Sequence, residues 1–417
     1  MATLFLRLVQ LGIPLRAASR VLDFVATSFG LPFSAPAWTT GRMWLLRFGL
    51  AQLLAAKRPA DDWAWLIDHS VQIGTEKVLV ILGIRLVDLP MPERPLRADD
   101  LVLIDLVPMT SSTREEVAER LKEAAERTSV PRAIVDDHAS DLNGGVQIFR
   151  EGHPEAVEIY DIKHKAACLL KARLEKDPRW KAFAAEVART RCAIQQTELG
   201  PLTPPAARPK ARFMNLAEQL EWADRVLGLL DRAPGEIPSW ATPERLAAKL
   251  GWLGGFRADL AEWRRWQTLV DRAVAVVGRE GLDEHTAAHV ERALPVVERG
   301  TEADRLAEEL RGFVREQAGL VKPGERLPGS TDVLESCFGR FKALEKDHAK
   351  GGFTSLLLGF GSQFVEATIE NVLGALRAVP TMWVKAWCSA HLGQTLQSKR
   401  IEALVRGAQQ KLPEPTV

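Results

Sequence analysis

Three carboxylates stand at the ends of apolar stretches: Asp68, Asp137 and Glu335. Asp68 closes the run Trp63-Ala-Trp-Leu-Ile67. Asp137 closes Ala133-Ile-Val-Asp136, and Glu335 lies near the start of the helix-like segment Thr331–Lys342. A carboxylate at the end of a buried strand is costly unless it is solvated, paired or bound to metal. Three such groups at one sheet edge repel one another unless cations sit among them, and oxygen-only ligands suit Mg²⁺ or Mn²⁺. A pair of such ions can clamp the attacking and leaving oxygens of an in-line phosphoryl transfer. Asp68, Asp137 and Glu335 are therefore read as metal ligands and catalytic residues. Asp136 competes for the second place. Asp137 is preferred because it directly precedes His138-Ala-Ser-Asp-Leu142, and side-chain alternation then sends Asp136 to the opposite face.

The elements that must position these groups follow from hydrophobic periodicity. Residues 4–56 keep apolar residues three or four apart, as in Leu4, Leu8 and Leu11, then Ala18, Val21, Leu22 and Val25. They read as short helices. A turn-rich break at Gly30–Pro36 precedes a helix from Gly41 to Arg47, which carries Arg42 and Arg47. Short helices with a turn, the last one basic, fit a DNA-binding helix-turn-helix over residues 1–58. After a linker at 57–62, short β-branched runs predict strands at 63–70, 77–86 and 101–107. A capped helix is expected at 113–127, a strand ending at Asp136-Asp137, a short helix at 141–149 and a strand at 156–162. Three strands in meander followed by strand–helix–strand crossovers is the order of a ribonuclease H-like fold, with the first and fourth strands side by side.

From 163 onward the pattern is helical. Lys163–Arg191 reads as one long amphipathic helix, with Lys163, Lys165 and Lys171 as phosphate-contact candidates. Further helices are expected at 215–232, 243–251, 255–278, 283–297 and 301–319, with loops at 199–209 and 321–330. A helix at 333–345, a glycine turn at 351–352, helices to 378 and over 381–409, and a frayed tail complete the chain. The expected divisions are 1–58, 63–174, an all-α insertion at 175–328, and 329–417.

Composition narrows the classes. The chain has 417 residues, 46% of them hydrophobic, and a net charge of +1. Any nucleic-acid surface must then come from local basic clusters rather than bulk charge. The four cysteines (Cys168, Cys192, Cys337 and Cys388) form no CxxC pair, which argues against a structural zinc or disulfide framework and for a reducing compartment. The first residues are too short an apolar run for a signal peptide, and no window is long and apolar enough to span a membrane.

Several segments, in order, resemble the DDE transposases of bacterial insertion sequences. Asp68 stands where the first catalytic Asp is expected. Ile134-Val-Asp-Asp137-His-Ala-Ser-Asp-Leu-Asn-Gly-Gly145 is similar to the second-Asp segment. Asp161-Ile-Lys-His164 is similar to a Cys/Asp-x-x-His element of members with a helical insertion. Leu334-Glu335-Ser-Cys-Phe-Gly-Arg-Phe-Lys342 is similar to the catalytic-Glu helix. The fuller signature has Tyr and Arg seven and four residues before the Glu, where this chain has Pro328 and Thr331. The resemblance implies a ribonuclease H-like mixed sheet (α+β or α/β) with an N-terminal helix-turn-helix and a large all-α insertion. It implies metal-dependent cleavage of element ends and transfer of 3′-hydroxyls into target DNA, with two Mg²⁺ or Mn²⁺ ions. Lys342, on the Glu335 face two turns on, would hold DNA phosphate. His164, Asp161, Arg42 and Arg47 would act in DNA binding, and Trp266, with Trp252 and Trp263 as alternatives, would stack a flipped base. Transposon-end and target DNA are the implied partners, the assembly a homodimer or larger, and the location a bacterial cytoplasm at the nucleoid, with no membrane. The alternative is a domesticated or decayed relative that binds DNA without catalysis.

Overall fold

In a computed structural model the chain is a mixed α+β protein, and residues 1–73, 76–206, 216–236, 239–346, 353–393 and 401–406 are described. The glycine turn expected at 351–352, the tail, and parts of the 199–209 loop and of the last expected helix lie outside them. The chain divides into two compact units, residues 1–161 with 327–417, and residues 162–326. The helix beginning at Ile162 thus belongs to the helical unit, which starts thirteen residues before the expected start of the insertion at 175.

The first unit opens with helices α1 (Ala2–Gln10), α2 (Leu15–Ser28) and α3 (Trp38–Leu54). The sheet follows: β1 (Trp63–Ile73), β2 (Glu76–Arg85), β3 (Val102–Met109), α4 (Arg114–Thr128), β4 (Ala133–Asp136), α5 (Ser140–Gly152) and β5 (Val157–Tyr160). Strand order is β3-β2-β1-β4-β5. β2 runs antiparallel to both of its neighbours, and β1, β4 and β5 are mutually parallel. The first and fourth strands are side by side, as the crossover pattern requires. Thr113 caps α4 by accepting from the Glu116 amide while the Glu116 carboxylate accepts from the Thr113 amide, a capping box at the expected cap.

Period-two alternation assigns the faces. Trp63, Trp65, Ile67, Leu79, Ile81 and Ile134 join Val117, Leu121, Leu142, Val146 and Phe149 of α4 and α5 in one buried core. Ala64, Leu66, Val80, Val135 and Ile159 are buried on the opposite face. On that side α13 (Asp332–Lys346) packs against β1 and α3 packs against β3. The unit closes with a 3₁₀ segment (Ser355–Gln363), α14 (Ile369–Ala378) and α15 (Thr381–His391).

α3 is the main departure from the sequence reading. Its Gly41-Arg-Met-Trp-Leu-Leu-Arg-Phe-Gly-Leu50 is apolar around most of its circumference, which marks a core helix. Leu45, Leu46, Phe48, Leu50 and Leu53 are buried. At Gly49 the helix meets the Leu358 carbonyl directly, and Gly361 approaches the Gly49 backbone, so neither position has room for a Cβ. Gln10 stitches α1 to the same C-terminal stretch, donating to the Ser362 and Val365 carbonyls (both 2.8 Å) and accepting from the Ala367 amide (3.1 Å).

The second unit is helical: α6 (Ile162–Leu174), α7 (Pro178–Ile194), α8 (Leu216–Leu230), α9 (Pro243–Leu250), α10 (Arg257–Glu280), α11 (Thr286–Ala293) and α12 (Glu302–Ala318). The expected single helix over 163–191 is two helices. Pro178 cannot continue α6 and takes the first turn of α7, where Asp177 caps by accepting from the Arg179 amide (2.8 Å). Trp180, Phe183, Trp252, Phe256 and Trp263 pack together as an aromatic centre. No helix among the described residues is long and apolar enough to cross a membrane.

Candidate active site

Asp68 ends the apolar part of β1 on the face opposite α4 and α5, in step with Ala64 and Leu66. Asp137, immediately after β4, continues the same face from Ala133 and Val135, and Asp161, immediately after β5, continues it from Val157 and Ile159. Glu335 comes from the first turn of α13, on the helix that packs on β1. Asp68 feels the charges of the other three. The Asp68 carboxyl is driven well above the usual carboxylate range, first by burial, then by the charge of Asp137 and, more weakly, those of Glu335 and Asp161. The His69 amide, donating to Asp68 Oδ1 at 2.6 Å, works against that shift. Asp68 and Asp137 are half-buried and Glu335 is exposed, so the cluster lies open to solvent on one side.

Asp161 also locks the helix that carries Glu335. Its Oδ2 accepts from the Thr331 amide and from Thr331 Oγ1, both at 2.6 Å, with Ser330 Oγ at 3.4 Å. All three residues are buried. The tie joins the end of β5 to the start of α13 and sets where the first turn of that helix, and Glu335 in it, can lie. Asp161 was read as a DNA-binding residue; its observed partners are these internal groups. Thr331 supplies two of the bonds.

The opposite face holds a second polar group. His69 sits between Ser112 Oγ, 3.2 Å from its Nε2, and the Asp141 carboxylate, 3.6 Å from its Nδ1. Burial lowers the imidazole to about 4, so it is neutral at pH 7. Lys77 of β2 donates to Asp141 Oδ2 at 2.6 Å, tying the β1–β2 hairpin to the start of α5. Farther along the strand ends, Asp136, His138 and Glu158 converge. Asp136 is pushed up to about 8 by burial and then by the Glu158 charge. Of this group the sequence reading weighed Asp136 and His138 only. Glu158 becomes visible once the β4–β5 register, Ile134 against Glu158 and Asp136 against Tyr160, is known.

The remaining DNA-binding assignments fare unevenly. Arg42 donates to Ser355 Oγ (2.6 Å), and Arg47 donates to the Val379 carbonyl (2.6 Å) and to that of Leu376, at the end of α14. Both guanidinium groups make contacts within the unit, on a helix whose apolar residues are buried, so α3 acts there as a packing element. Trp266 is 6% exposed and Trp263 1%, donating to Glu262 (2.8 Å) and Asp177 (3.1 Å) respectively. Trp252 donates to Thr190 Oγ1 at 2.9 Å. These rings are packed, which removes them as stacking platforms in this conformation. Lys165 lies over the Phe313 ring at 5.6 Å, and Lys171 pairs with Glu175 at 3.7 Å. Lys163 and His164 lie half-buried in the first turn of α6. Lys342 is exposed on α13, two turns beyond Glu335. A separate cleft of about 740 Å³, lined by Arg7, Arg97, Ser336 and Arg340 among others, contains none of the three carboxylates.

No protein-family model matches the chain, and no curated protein matches it.

Proposed function

We propose that the chain is a DNA transposase of the DDE type, built on a ribonuclease H-like core, that cuts phosphodiester bonds at element ends and joins the 3′-hydroxyls to target DNA. The observation that carries this reading is that the charges of Asp137, at the end of β4, and Glu335, on α13, both reach the Asp68 carboxyl on β1. A buried carboxyl whose proton affinity is raised in part by neighbouring carboxylates is a place where a cation would be favoured. The strand order β3-β2-β1-β4-β5 supports the fold assignment, because it sets the first and fourth strands, and so two of the carboxylates, side by side.

The donor set is all oxygen, which fits Mg²⁺ or Mn²⁺. Bound there by Asp68, Asp137 and Glu335, two such ions would activate the attacking hydroxyl and stabilise the leaving oxygen. The chain's own part is positional. β1 and β4 hold two carboxylates on rigid strands, Asp161 fixes the helix that presents the third, and Lys342 offers an exposed cation for DNA phosphate.

The test uses labelled duplexes carrying the DNA that flanks the coding region, incubated with supercoiled plasmid in Mg²⁺. Joining of the labelled 3′ ends into the plasmid is the expected result. Cleavage without joining would make the protein a nuclease of the same chemistry, and neither product with intact binding would favour a relative that has lost catalysis.

A further inference from the structure

We propose that Asp136, His138 and Glu158 form a second metal site, on the sheet face opposite the Asp68–Asp137–Glu335 cluster, that takes a divalent transition metal of the Zn²⁺ class. One ligand atom from each residue falls within 4.8 Å of the other two. His138 Nε2 lies 3.4 Å from Glu158 Oε1 and 3.8 Å from Asp136 Oδ1. An imidazole nitrogen with two carboxylates suits zinc-like ions and disfavours Mg²⁺, which prefers oxygen alone.

An independent observation points to a cation. Asp136 is fully buried, and among the described residues no hydrogen-bond donor reaches its Oδ2. Its neighbour is another carboxylate, Glu158, itself 8% exposed. A buried carboxylate oxygen facing a second carboxylate is stabilised by a proton or a cation between them, and a cation would displace the proton. The Arg150 guanidinium stands 3.6 Å from its other oxygen, Oε2.

The ligands are held in advance. Asn143 donates to Glu158 Oε1 at 2.9 Å, and Gln147 donates to Oε2. His138 takes a left-handed backbone conformation (φ 56°), its amide donates to Asp136 Oδ1 at 2.8 Å, and its ring stacks on Tyr160 at 3.9 Å. Such outer support orients the ligands of bound metals. The His138 side chain is 31% exposed, while its Nε2 is buried within the group. An ion here would brace the turn Asp136–His138, from which Asp137 reaches the other face.

The experiment titrates Zn²⁺ by calorimetry into the full chain, stripped with chelator and held in excess Mg²⁺ to occupy the oxygen-only cluster. Co²⁺ absorption serves as a second readout. Wild type and Asp68→Asn should each bind one Zn²⁺. His138→Phe keeps the ring stack on Tyr160 but loses the nitrogen, and Glu158→Gln loses a charge. Each should weaken binding by more than about a hundredfold, beyond what loss of a supporting group costs. The visible Co²⁺ bands should change in His138→Phe. Absence of Zn²⁺ binding by folded wild type would overturn the site. So would unchanged affinity in a folded His138→Phe chain, or loss of binding in Asp68→Asn with retention in His138→Phe, which would assign the ion to the other cluster.

Discussion

Two adjacent aspartates show how much a single residue's direction decides. Asp136 and Asp137 differ by one position, yet alternation sends one to the α5 face beside Glu158 and the other to the face of Asp68. That separation was legible in the sequence, because a strand ending in two carboxylates must divide them. The partners were not legible. Glu158 and Thr331 gain their roles from register and from a contact 170 residues apart in the chain, which no local pattern encodes. Thr331→Val removes the hydroxyl donor to Asp161 and leaves the amide bond. Loss of one buried hydrogen bond to a charged group costs about 1.5–3 kcal/mol, and urea denaturation should show it, with a larger proportional loss of cleavage than of DNA binding. Glu345 on α13 supplies a pH test. Burial raises its carboxyl to about 7 from the usual 4.5. With the folded pKa above the unfolded one, its contribution is present below about pH 4.5 and is lost as pH rises through 7. Glu345→Gln should therefore melt higher than wild type at pH 8 and show no such gain at pH 4. Equal melting shifts at both values would refute the burial argument.

Among the elements, the strands and α4 were readable because their signals are local: β-branched runs, a capping box and a period of two. The helices were readable as helices and misread as to role. α3 carries two arginines and follows a turn, which suggested a recognition helix. Its nearly continuous apolar surface gives the better reading, since a groove-binding helix needs a polar face. Gly49 is the sharpest probe of this packing. Gly49→Ala forces a Cβ against the Leu358 carbonyl, and overpacking of this kind typically costs about 1–3 kcal/mol. A melting temperature equal to wild type would mean that α3 and the 3₁₀ segment do not touch as described. The break at Pro178 is a second lesson of scale. Helical periodicity persists across Glu175–Asp177, but the missing amide of proline ends one helix and begins another.

For the whole molecule, the first unit draws both ends of the chain together. Residues 1–161 form one compact unit with 327–417, and α1 and α3 are bonded to the segment 355–379. The sequence suggested a separable N-terminal module because a linker at 57–62 follows the helices. A linker in sequence is no boundary in space when the helices before it bury their apolar surface elsewhere in the unit. Deleting residues 1–56 should therefore destabilise the sheet as well, seen as rapid proteolysis of the core and loss of its cooperative unfolding. A truncated chain with wild-type stability would restore the separable module.

The central claim is that Asp68, Asp137 and Glu335 hold the ions that break phosphodiester bonds. Nicking of supercoiled DNA in Mg²⁺, measured side by side for wild type, Asp137→Asn and Asp136→Asn at matched folded concentration, tests it most directly. Asp137→Asn keeps size and shape but removes one charge from the face proposed to bind the ions, and the rate should fall on the order of 10²- to 10³-fold, the effect of losing one preorganised group at a reacting centre. Asp136→Asn, facing the other way, takes no charge from that face and should cost less than Asp137→Asn does. Equal rates for wild type and Asp137→Asn, or a large loss in Asp136→Asn alone, would contradict the account.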